Sequence, residues 1–203
     1  MLSESTQARS VNFPAVLRAA MILVIAFGVA DMASGQNLLV GYAANLTVRD
    51  SIVNLTNAGS VNGNDPAGDI CANLYIFDPT QELVSCCACL LTPNHLQRIS
   101  VSNSFINKLT PGPLLTSISI VVTGSSGASG TCNASTATTL VNGLEAWEVT
   151  SHVLGAGYAA TETKLQSASA SASEITKLTS TCSFIQNDGS TYGICKSCAV
   201  GAL

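Results

Sequence analysis

The chain has 203 residues, of which 47% are apolar, 10% charged and 5% aromatic, and its formal net charge is −4. So sparse and slightly acidic a charge set offers no basic stripe to neutralise phosphates, which argues against nucleic-acid binding. The ample apolar content with small net charge argues against disorder over the whole length, and the size suits one domain with at most a small appendage.

Arg9 and Arg18 precede an apolar run, residues 19–30 (AAMILVIAFGVA), and the small residues Ala33, Ser34 and Gly35 follow it. Positive residues, a dozen or so apolar ones and then small ones are the order of a secretory signal peptide. Residues 1–35 are therefore expected to be removed by cleavage after Gly35, with cleavage after Ala30 as the alternative. A retained anchor is the competing reading, but the run is shorter than the ~20 residues needed to cross a bilayer. The chain is expected to be secreted, periplasmic or at the cell surface, with no membrane attachment after cleavage.

Residues 36–160 read as a β-rich domain. Short extended runs are expected at 46–50 and 52–55, broken by the turn-forming residues 57–68. Further runs follow at 73–77, stopped by Asp78 and Pro79, then at 82–91 and 95–101. The clearest alternation lies at 116–122, where Ile118, Ile120 and Val122 interleave with Ser117, Ser119 and Val121. Residues 124–130 read as a flexible glycine-serine loop, and 144–150 as a strand holding the single Trp147. Short strands separated by Gly, Pro and Asn turns point to an antiparallel β-sandwich or barrel-like domain. Serine and threonine supply the solvent faces that Lys and Glu cover elsewhere.

Residues 161–203 change in character. Ser167 to Ser173 read as a helix lead-in. Ser171 and Glu174 have capping-box spacing, and Ile175, Leu178, Cys182 and Ile185 fall on one helical face. A helix over about 172–186 is expected to end at Asn187, Asp188 and Gly189 and to dock on the sheet, carrying a disulfide-bonded tail.

Eight cysteines, Cys71, Cys86, Cys87, Cys89, Cys132, Cys182, Cys195 and Cys198, all lie beyond the expected cleavage point. An even number in an exported chain points to disulfides. Adjacent Cys86 and Cys87 would point to opposite faces of a strand, so different partners are expected for them. Spacing does not fix the pairing; the expectation is that Cys182 pairs within the tail and Cys71 into the cluster. The rival is a metal site or a thiol-redox centre built from Cys86, Cys87 and Cys89 with Cys195 and Cys198.

Other chemistry is thin. His95 and His152 are not spaced as a metal pair and read as surface residues at strand ends. There is no Gly-x-Ser-x-Gly elbow. Residues 155–160 (GAGYAA) match a dinucleotide fingerprint in letters alone and read as a flexible connector. Asn62, Asn64, Asp65 and Asp69 do not follow the order of a calcium loop and read as a polar turn. Asn45, Asn54 and Asn133 begin glycosylation sequons that matter only if the source has the machinery.

The stretch ICANLYIFDPTQELVSCCACLLTPN and the tail TETKLQSASASASEITKLTSTCSFIQNDGSTYGICKSC resemble a group of uncharacterised secreted, cysteine-containing proteins of soil Acidobacteria. The resemblance implies export, a bacterial source and shared cysteines; it carries no catalytic residue across. The sequence thus leads to a non-catalytic exported module without cofactor or metal, acting by surface binding or self-association. The metal or thiol-redox protein is the alternative. A hydrolase would need His95 or His152 placed beside a serine and a carboxylate in a cleft.

Overall fold

The structure is a computed structural model that describes residues 36–58, 68–106, 115–127, 132–190 and 192–195. The chain divides into two units, Met1–Ser34 and Gly35–Leu203. The whole expected signal segment lies outside the described residues, as do Asn62, Asn64 and Asp65, and all of it but Gly35 falls in the first unit.

The second unit runs β1 (Gln36–Ala43), β2 (Ile52–Asn57), β3 (Ile70–Phe77), β4 (Leu83–Leu91), β5 (Leu96–Ser100), α1 (Val101–Ser104), β6 (Ile118–Ser126), β7 (Leu144–Leu154), β8 (Gly157–Lys164), β9 (Gln166–Ala170) and α2 (Ala172–Asn187). The strands form two antiparallel sheets, ordered β4-β3-β6-β1-β9 and β5-β2-β7-β8. The fold is mainly β, a sandwich with a C-terminal helix and disulfide-linked tail, as the strand and turn pattern led us to expect.

Alternation of side chains across a strand builds two apolar layers from the five-stranded sheet. Ala72, Leu74 and Ile76 of β3 and Ile118, Ile120 and Val122 of β6 face the other sheet, meeting Val53, Leu55, Ile99 and Ala146. Cys71 and Tyr75 take the opposite face, under Ile175, Leu178 and Cys182 of α2 and beside Cys132 and Ala134. Strand β3 is consequently buried along nearly its whole length. Tyr75 anchors the 132–140 segment there, donating its hydroxyl to the Ala134 carbonyl at 2.8 Å. Burial raises its pKa well above the ordinary phenol value.

Helix α2 starts where its cap predicts, with the Ser171 hydroxyl accepting from the Glu174 amide at 3.2 Å. Several local expectations are corrected. Residues 46–50 do not form a strand: Asn45 has φ of 58° and its carbonyl accepts from the amides of Val48 and Arg49, closing a turn. Residues 124–126 belong to β6, since Gly124 pairs in register with Ala72; 128–130 lie outside the described residues. The 155–160 stretch is no flexible connector. Leu154 pairs with Gly157, so Gly155 and Ala156 form a two-residue hairpin turn, with Gly155 at φ of 56° in the first central position where such turns need glycine. Strand β8 runs on through residue 160. The serine-rich lead-in to the helix is strand β9, paired with β1 from Gln36↔Ala170 to Val40↔Gln166.

One residue joins the sheets at this side. Leu165, between β8 and β9, is buried and donates its amide to the Ala146 carbonyl at 2.9 Å. It lies so close to β1 that a Cβ on Gly41 would come within 2.6 Å of its Cγ. The chain can change sheets here only because β1 has glycine at that position.

Candidate functional site

The cysteines act as staples. Cys86 and Cys87 stand on opposite faces of β4, as expected, and have different partners. Cys86 bonds Cys182 of α2, with Cα atoms 5.8 Å apart, and Cys87 bonds Cys195 of the tail at 5.4 Å. Cys71 bonds Cys132 at 5.3 Å. The expected pairing of Cys182 within the tail and of Cys71 into the cluster is therefore corrected. Helix α2 lies over the face to which Cys86 points, which brings Cys182 to the cluster, and the 132–140 segment folds over the same face beside Cys71. Cys89 is disulfide-bonded too, Cys198 lies outside the described residues, and no described cysteine is free. The tail lies along β4, where Gly193 accepts from the Cys86 amide at 2.7 Å and Ile194 bridges to Cys86 in parallel.

The polar chemistry gathers elsewhere, on β7. Its inward positions begin with Ala146 in the core and continue with Glu148, Thr150 and His152. Beyond Val40 strand β1 runs past the start of β9, leaving an opening between β1 and the β7–β8 hairpin. The result is a cleft of about 520 Å³, lined by Gly41, Glu148, Thr150, His152, Thr161, Thr163 and other residues. Register explains the grouping: Glu148 is opposite Thr163, and Thr150 opposite Thr161, so all four share one face.

Glu148 is 5% exposed. One carboxylate oxygen accepts from the Thr150 hydroxyl, and the other has no partner among the described hydrogen bonds. Burial raises its pKa above the ordinary carboxyl range, while the Thr150 hydrogen bond and the charge of His152 pull against that rise. At the rim the Asn45 side-chain amide lies 3.3 Å from the Ser151 carbonyl and 3.4 Å from His152 Nδ1. The carbonyl fixes the amide nitrogen on that side, so Nδ1 accepts and Nε2 carries the ring proton.

Ser119 also borders the cleft, so a serine, a histidine and a carboxylate do meet in one region. They are not arranged for nucleophilic catalysis. Ser119 alternates with Ile118 and Ile120, which face the core, so its hydroxyl is on the outer face of the other sheet. The imidazole bonds Asn45 and the carboxylate bonds Thr150, and no described hydrogen bond joins serine to histidine or histidine to Glu148. His95 is exposed just before β5, as expected, and lies within reach of Gln97. His152 is exposed too, within β7 close to the hairpin. Among the described residues no group of three or more His, Cys, Asp or Glu could hold a metal ion.

Glu148, Thr150, Thr161 and Thr163 were not singled out from the sequence. The available signal was Glu148 and Thr150 on the same strand parity as Ala146, which puts polar groups on the face that the core claims.

No family model and no curated protein matches the chain. Among solved structures, the crystal structure of Thermotoga maritima 1070 is similar over 68% of this chain and 98% of that one, at 11% identity and a TM-score of 0.42. Likeness at that level carries no functional argument. Three disulfides with both cysteines among the described residues, and Cys89 bonded as well, are consistent with an oxidising, extracytoplasmic environment, and no described helix is long and apolar enough to cross a membrane.

Proposed function

We propose that the chain is an exported, disulfide-stabilised and non-catalytic module that acts at the cell surface or in the surrounding matrix by binding, with the β1/β7–β8 cleft as its recognition site. The observation that carries this reading is Glu148, a buried carboxylate on the lining of a cleft, bonded on one oxygen to the Thr150 hydroxyl and with no second carboxylate on that lining. A buried acid whose pKa is raised by desolvation and which lines a cleft is a candidate for a working site. The disulfides fit the same reading: Cys86–Cys182 and Cys71–Cys132 pin the helix and the 132–140 segment to the far face of the other sheet, Cys87–Cys195 ties the tail to the core side of β4, and none of these cysteines lines the cleft.

Intact-mass analysis of the protein from fractionated source cells tests export. The expected result is a chain beginning at Gln36 in an extracytoplasmic fraction, with no cysteine alkylated until it is reduced. Retention of residues 1–35 in a cytosolic fraction, with thiols that alkylate directly, would sink the proposal.

Glu148 gives a second test. A carboxyl whose folded pKa is raised favours folding below its unfolded pKa, and that contribution is lost as pH rises through the folded value. Glu148→Gln cannot ionise and escapes that loss. The variant is expected to melt above the parent at about pH 7 and level with it near pH 4, where both side chains are neutral. A melting difference that does not change with pH would refute the assignment.

A further inference from the structure

We infer that the cleft takes a neutral, hydroxyl-rich ligand, of the kind a sugar residue presents. This rests on the reading of the cleft as the recognition site and adds the class of molecule it holds.

The lining chemistry selects that class. Glu148 offers a carboxylate oxygen beyond the one that Thr150 bonds, Thr150, Thr161 and Thr163 offer hydroxyls that both donate and accept, and His152 offers an Nε2–H donor at the rim. Ligand hydroxyls also donate and accept, so they can satisfy every one of these groups. An ammonium ligand can only donate, so it would leave the imidazole donor unanswered. An anionic ligand would meet the carboxylate. A divalent cation would find one carboxylate where hard cations gather several oxygens. The other charged group on the lining, Lys164, is engaged elsewhere: its ammonium pairs with Glu145 and lies 5.7 Å over the Trp147 ring.

Rigidity supports the same assignment. Three of the binding groups are β-branched threonines on paired strands, with restricted χ1, so little side-chain entropy is lost when they bond a ligand. The cleft volume of about 520 Å³ lies within the range of small-molecule sites. At one end the floor is Leu165 against Gly41, an apolar wall for the carbon face of a ring.

The test is amide-shift titration of the isotope-labelled, oxidised protein. The probes are the methyl glycosides of glucose, galactose, mannose, xylose and N-acetylglucosamine, with ethylammonium chloride and sodium acetate as charged controls. At least one glycoside is expected to shift amides of Gly41, Thr150, Thr161 and Thr163 with millimolar affinity, as suits one exposed sugar unit. Glu148→Gln should weaken that binding about tenfold, the loss typical of a hydrogen bond to a charged group, and Thr163→Val about threefold to tenfold. Glu148→Gln is also the variant expected to fold more stably, so weakened binding cannot be blamed on unfolding. Lack of response to every glycoside up to about 50 mM, a concentration that would reveal even very weak affinity, overturns the inference. Ethylammonium binding in their place overturns the ligand class and leaves the recognition site standing. Glycoside-induced shifts that map outside the cleft overturn the site. Failure of the export reading would appear separately, in the mass and fractionation measurements.

Discussion

Replacing Cys86 and Cys182 together by serine is expected to cost the oxidised protein about 3–5 kcal/mol and to lower its melting temperature by about 10 °C. The bridge spans 96 residues, and in the chain-entropy account long loops gain most from closure. It also fixes the only long helix among the described residues. Helix α2 buries just Ile175, Leu178, Thr179 and Cys182, and has no basic residue in its last turn to meet the macrodipole. Such a helix gains little from propensity and depends on docking. Hydrogen exchange should therefore show α2 amides losing protection first, while β2 and β7 in the other sheet keep theirs. A melting temperature within about 2 °C of the parent would mean that the apolar contacts of α2 suffice without the bridge.

Gly41→Ala is expected to cost about 2–3 kcal/mol, far more than the usual effect of alanine in a strand, where it is normally preferred to glycine. The added Cβ would lie 2.6 Å from Leu165 Cγ and 2.9 Å from its Cδ1, and Leu165 cannot simply swing aside because it is buried and its backbone is tied to Ala146. Leu165→Ala alone should cost about 2–4 kcal/mol by leaving a cavity at the sheet crossing. Combined, the two changes should cost less than their sum by at least about 0.5 kcal/mol, because shortening Leu165 opens the space that the new methyl needs. Strict additivity in urea melts would show that the close approach is not what makes glycine necessary. Glycoside affinity adds a second readout, since Gly41 and Leu165 form the apolar end of the cleft.

Much of the scaffold was legible before any coordinates. The interleaving of Ile118, Ile120 and Val122 with smaller residues is the pattern of β6, and the Ser171 cap with Ile175, Leu178 and Cys182 is the pattern of α2, because both depend on local periodicity. The opposite destinations of Cys86 and Cys87 follow from strand geometry alone. What escaped depends on long-range neighbours. The 155–160 stretch resembles a loose linker in composition, yet the pairing of Val153 with Tyr158 makes it a hairpin. The run Ser167 to Ala170 has weak strand propensity and becomes β9 because β1 offers it an edge. Disulfide partners could not be read because they depend on which face α2 covers. The cleft was hidden for a related reason: Glu148 and Thr163 are fifteen positions apart, and only the hairpin register sets them side by side.

The cross-links also impose a timetable. If the chain is exported as proposed, amino end first, it presents Cys71, Cys86, Cys87 and Cys89 together, and the first later cysteine to arrive is Cys132. Cys86 and Cys87 must wait for Cys182 and Cys195, near the end of the chain. During that interval four thiols within nineteen residues are close enough to pair wrongly with one another or with Cys132. Correct oxidation is thus a late event that calls for reshuffling, and folding in the test tube should be slow with an oxidant alone and faster when a disulfide isomerase or a glutathione redox pair is supplied. Equal rates in the two conditions would show that the sheet assembles well enough before oxidation to choose the partners itself.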